Sequence, residues 1–175
     1  MSTSDLYILN GKSVTHWAEF RNGWGSAPVV WDYLAEKYLT GNFTDYMRRD
    51  YIGFERKCRL VWALNGDDRL TEDERFALLL TFDRAFVPRD RLRGAADLCA
   101  DFARRTSHIE GVNHWAAIGK SLEAMSTARL GRHARGACLS CTSVNDEWLN
   151  NKEWPKDAWP IFADHDRAKE ASDAG

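Results

Sequence analysis

The stretch that most restricts the fold begins at Thr71. Thr71-Glu72-Asp73-Glu74 has the form of a capping box, in which a hydroxyl and a carboxylate three residues apart each satisfy a backbone donor of the other residue. Behind it, a helix read through Phe86 is apolar nearly all round, interrupted by Asp83-Arg84, which reads as an internal ion pair. Such a helix has no face to offer to water, so it belongs at the centre of the fold with other elements packed around it. A chain of 175 residues is long enough to supply that shell without disulfides or a structural metal.

The shell is legible as further helices. Ser26 caps one, with Pro28 in its first turn, and Val30, Leu34 and Tyr38 share a face that Trp31 extends. The segment 44–64 reads as helical, broken near Gly53, with Cys58, Val61 and Trp62 at helical spacing. Pro88 opens another helix, whose stripe is Leu92, Ala95, Ala96, Cys99, Phe102 and Ala103. Trp115, Ile118, Leu122 and Met125 mark the face of the next. Thr15 reads as the cap of a short helix carrying Trp17 and Phe20. Strand signals sit at the two ends. Leu6-Tyr7-Ile8-Leu9 precedes Asn10-Gly11, a tight-turn pair, and Ser13-Val14 forms the return; 137–144 is small and β-prone and fits beside that hairpin. The basic stretch 129–135 reads as a loop, and the aromatic stretch 148–162, with Pro155 and Pro160, as a wrapping segment. The expected fold is mainly α: a compact bundle of about six helices with a small sheet from the N- and C-terminal segments. It forms one domain over 1–163, with a frayed tail over 164–175.

Composition narrows the function classes. The formal net charge is −2, which argues against both a domain wrapped whole in duplex DNA and an acidic imitation of DNA. No apolar run is long enough to cross a bilayer, and the N-terminus lacks the pattern of a signal peptide. Four cysteines and no export signal point to a cytoplasmic protein with reduced thiols. Eight tryptophans are an unusual number; many must serve the core, and tryptophan is also favoured at interface centres.

Several constellations could carry chemistry. His133, Cys138 and Cys141 have spacing that could begin a zinc site, although a fourth ligand must come from afar, such as His114 or His165. In a regular strand Cys138 and Cys141 would face opposite sides, which opposes that reading. A redox role for the same cysteines lacks the helix N-terminus that lowers a thiol pKa. Asn65, Asp67, Asp68, Thr71 and Glu72 lack the register of a calcium loop, and a capped helix with an acidic first turn explains them. No nucleophile elbow, phosphate loop or zinc-protease motif is present, so no catalytic residue and no cofactor are assigned.

The segment 46–59 carries five basic residues among aromatics. Arg48, Arg49, Arg56, Lys57 and Arg59 could meet phosphates while Tyr46 and Tyr51 stack on bases. The same pattern suits an acidic protein surface, and a helix with a solvated basic face explains it equally. Arg129, Arg132, His133 and Arg135 form a second basic cluster.

Two stretches, 19–31 (with Asn22-Gly23-Trp24-Gly25) and 81–85 with the preceding Asp68-Arg69-Leu70, resemble a class of small, uncharacterised phage and prophage proteins. The resemblance implies a phage accessory protein in a bacterial host cytoplasm, of the kind that inhibits a host defence complex stoichiometrically, anti-CRISPR proteins included. It carries no site residues. The leading expectation is a non-enzymatic binding protein whose partner is a host protein or nucleoprotein complex, using Trp24, Tyr46, Arg48, Arg49, Tyr51 and Arg56. One alternative is direct nucleic-acid binding through Arg48, Arg49, Arg56, Lys57, Arg59, Arg132 and Arg135. Another is a metal-dependent enzyme built on Cys138 and Cys141.

Overall fold

The computed structural model describes residues 3–11, 13–21, 23–39, 60–61, 63–81, 85–109 and 113–140. Their order is strand β1 (Thr3–Asn10), strand β2 (Ser13–Arg21), helix α1 (Gly23–Tyr38), a 3-10 turn (Leu64–Gly66), helix α2 (Glu72–Leu80), strand β3 (Ala85–Pro88), a second 3-10 turn (Arg89–Arg91), helix α3 (Leu92–Arg105), helix α4 (Asn113–Thr127) and strand β4 (Ala134–Ser140). The strands form one antiparallel sheet in the order β2-β1-β4-β3.

The mainly α, six-helix bundle is therefore corrected. The described residues hold four α-helices and a four-stranded sheet. Two misreadings, together with the segment 44–64, the sixth expected helix, which lies mostly outside the described residues, account for the difference. Trp17 and Phe20, three apart, mimic one face of a helix, yet both lie in β2. The register shifts between Leu6↔Ala18 and Tyr7↔His16, which leaves Trp17 as an extra residue. A bulge of this kind lets neighbours Trp17 and Ala18 both pack against the main core, with Phe20 buried two residues on. The second misreading ran α2 through Phe86. The helix stops at Leu80, and Ala85-Phe86-Val87-Pro88 pairs with β4 as an edge strand. A four-residue apolar run is too short for periodicity to separate strand from helix. Pro88 accordingly ends a strand instead of opening a helix, and α1 begins at Gly23, ahead of Ser26. β4 starts at Ala134, inside the stretch read as a loop.

The sheet is apolar on both faces. Leu6, Ile8, Ala85, Val87, Ala137 and Leu139 join the helices in the main core. Tyr7, Leu9, Phe86 and Cys138 point the other way and form a second, smaller cluster, also buried. Two glycines are required by geometry. Gly11 turns the β1–β2 hairpin at φ 62°. At Gly136, φ 155°, a Cβ would lie 2.1 Å from the Val87 carbonyl oxygen.

On the helical side α2 is buried as expected, with Phe76, Ala77, Leu78, Leu79 and Leu80 all inside. The α3 stripe is buried residue for residue, and Trp115, Ile118, Leu122 and Met125 of α4 face it. Phe102 meets Trp115 edge-on at 5.6 Å and Tyr33 at 5.8 Å. Among the described residues no helix is long and apolar enough to cross a membrane.

Candidate functional site

Three polar constellations stand out. The most tightly bonded surrounds Glu74, whose side chain has no exposure to solvent. Its capping-box role is met: the Thr71 backbone N–H donates to Oε2 at 3.1 Å. Three side chains of α1 add to this. Lys37 Nζ donates to Oε1 at 2.6 Å, Tyr33 to the same oxygen at 2.7 Å, and Tyr38 to Oε2 at 2.6 Å. Tyr33, Lys37 and Tyr38 reach one point because they are four and five apart on a helix. Burial alone would raise the Glu74 pKa, but the bonds from Lys37, Tyr38 and Tyr33 and the backbone donor outweigh it and hold it at about 2. Burial and the Glu74 charge both push Tyr33 and Tyr38 above their ordinary value. Burial opposes the charge on Lys37, yet its bonds to Glu74 and the tyrosines keep it more basic than usual. Every group is thus driven further into the charge state it already has, the opposite of what a proton-transferring group needs near neutral pH. Next to it, Asp73 Oδ1 accepts from Thr71 Oγ1 at 2.6 Å and Arg105 at 3.0 Å. This cluster joins α1, α2 and α3, and its chemistry is that of a clasp.

The second constellation lies on the smaller sheet face. His16 Nε2 is 3.2 Å from Asp5 Oδ1, and the Tyr7 ring meets the imidazole edge-on at 5.6 Å. Cys138, opposite Tyr7 on the far side from His16, is a strand further away, so thiol and imidazole do not form a pair.

The third is the end of the sheet where the β1–β2 hairpin, the β3–α3 turn and the start of β4 meet. Pro88 pairs with Gly136, which sets Arg89 beside Arg135. Arg89 Nη1 donates to the Gly131 carbonyl at 3.1 Å, fastening the β3–α3 turn to the loop before β4. Gly11 of the hairpin lies against His133, within 3.7 Å of its Cβ for a built side chain. Arg132 Nε donates to His133 Nε2 at 2.9 Å. Arg89, Arg129, Arg132, His133 and Arg135 are all exposed. Asp90 is the acidic residue of the β3–α3 turn. Arg89, Arg129 and Arg132 have no carboxylate partner among the described residues.

The residues singled out in the sequence are distributed unevenly. Arg132 and Arg135 stand at this basic end, where the structure adds Arg89, brought in by β3–β4 pairing. Tyr46, Arg48, Arg49, Tyr51, Arg56, Lys57, Arg59, Cys58 and Cys141 lie outside the described residues, as do Asp83-Arg84, the stretch 148–162 and the tail 164–175. Trp24 falls in the first turn of α1, its side chain outside the described set. His133 is exposed at the turn before β4, whereas Cys138 is fully buried within β4. Among the described residues no group of three or more His, Cys, Asp or Glu side chains could hold a metal ion. The Glu74 clasp is not legible in the sequence beyond its cap, although the Tyr33, Lys37, Tyr38 spacing on α1 is a signal for it.

No known protein family, curated protein or solved structure matches this chain.

Proposed function

We propose that this protein is a non-enzymatic binding protein that grips an anionic macromolecule through the basic end of its sheet. The observation that carries this is the set Arg89, Arg129 and Arg132, exposed at one place and without carboxylate partners among the described residues. Exposed guanidinium groups gathered on a rigid sheet end form a local positive field on a chain whose net charge is −2. The stretches that resemble phage and prophage proteins make a bacterial cytoplasm the setting to consider. They also make a host nucleoprotein complex, such as a defence complex, the partner to test first, with stoichiometric inhibition as the expected effect.

Retention on immobilised heparin, a dense polyanion, tests the reading. Wild type is expected to be held at about 50 mM salt and to elute well above that. Arg129→Glu/Arg132→Glu is expected to elute markedly earlier. Flow-through of folded wild type at about 50 mM salt would remove the proposal.

A further inference from the structure

We infer that the basic end of the sheet binds the phosphate backbone of duplex nucleic acid, without reading bases. The inference rests on the anionic-partner reading above and sharpens it.

Three observations lead there. The first is what the surface lacks. Among the described residues the exposed large apolar side chain is Leu60, which belongs to another part of the chain. Protein interfaces are anchored by large apolar or aromatic side chains in desolvated pockets, so an acidic protein surface would find arginines here and no anchor. The second is the scarcity of rings: among the described residues at this end Tyr7 and Phe86 are buried, and the exposed imidazole of His133 has its Nε2 occupied by Arg132 Nε. A single-strand binder depends on rings that stack with unpaired bases. Among the described residues this end offers mainly guanidinium groups, which suit phosphates, and duplex presents those at the higher charge density. The third is shape. Gly131 stands between Arg129 and Arg132 with nothing within 4 Å of a built Cβ, so backbone is open to close approach. Guanidinium groups also suit phosphate oxygens through paired N–H donors.

The test is fluorescence anisotropy with a labelled duplex of about 20 base pairs, the same labelled single strand, and unlabelled polyglutamate as competitor. The wild-type chain is expected to bind the duplex more tightly than the single strand and regardless of sequence. Log affinity should fall against log salt with a slope of about −3 to −4, roughly 50- to 250-fold between 50 and 200 mM. Arg129→Glu/Arg132→Glu, both exposed, should lose at least about tenfold and flatten the slope by about 2. Arg104→Glu/Lys120→Glu, which reverses charge on the distant α3–α4 surface, should bind as wild type does. Equal or tighter binding of the single strand, displacement by polyglutamate at equal charge, or equal loss in the α3–α4 variant would each overturn the inference. Retention on heparin with no duplex binding would overturn it and leave the anionic-partner reading standing. Failure of both would remove both.

Discussion

A carboxylate with no exposure to solvent is either neutral or charged and fully paired, and Glu74 is the second. Its pKa of about 2, against an ordinary value of 4.5, makes it a source of stability with a defined pH window. Above about pH 5 the unfolded chain's carboxyl is also ionised, so the contribution is present in full. As pH falls from about 4.5 towards 2 the unfolded state takes up a proton that the folded state resists, and the contribution is lost. Glu74→Gln is therefore expected to cost about 2 to 4 kcal/mol at pH 7, moderated because Lys37 is part-exposed and can turn to water. The gap between variant and wild type should narrow at pH 3; urea unfolding at the two pH values measures it, and a pH-independent gap would contradict the assignment. Gly136 is the other residue-scale constraint. An added Cβ meets backbone, the Val87 carbonyl, so no side-chain rotation relieves it. Gly136→Ala should lift β3 from β4 and cost roughly 3 kcal/mol or more, seen as a lowered thermal midpoint.

At the scale of elements, α3 and α4 approach closely at Gly119, where a Cβ would lie 3.0 Å from Cys99 Cβ and 3.2 Å from the Ala96 carbonyl oxygen. Alanine there gains about 1 kcal/mol of helix propensity, but the backbone oxygen cannot yield without moving a helix. Gly119→Ala is expected to destabilise by about 1 to 2 kcal/mol, whereas Gly94→Ala, in open space on α3, should stabilise by about 0.5 to 1 kcal/mol. Opposite signs in paired thermal melts are the check. Elements also show what a sequence discloses. The stripes of α3 and α4 and the cap of α2 were readable because long amphipathic helices repeat their signal several times. β2 was not, because the Trp17 bulge rewrites strand alternation as helical spacing. β3 was not, because four residues carry no period and the apolar run from α2 gives no clear break. The basic site was half readable for the same reason: Arg129, Arg132, His133 and Arg135 are neighbours in sequence, while Arg89 arrives only through pairing of β3 with β4.

For the molecule as a whole, the decisive contact is between its most distant described parts. β1 is the first described strand and β4 the last, yet they pair along Asp5↔Ser140 to Asn10↔Ala134 at the centre of the sheet. Among the described residues β2 and β3 each have one strand partner and reach the sheet through that central pair. Closing it costs the entropy of the long intervening loop before the pairing rewards it, so the sheet forms late and helices that pack on its face are not complete without it. Unfolding should then be one transition, with tryptophan fluorescence and far-ultraviolet circular dichroism giving coincident curves. Weakening the central pair at one position should lower both probes together. Leu6→Ala, fully buried on the core face of β1, is expected to cost about 3 kcal/mol and to shift the two curves by the same amount. If tryptophan fluorescence, to which Trp31 of α1 and Trp115 of α4 contribute, kept its wild-type midpoint while the dichroism moved, the helices would be stable apart from the sheet. The basic end would then have lost the rigid support that gathers Arg89, Arg132 and Arg135 at one place.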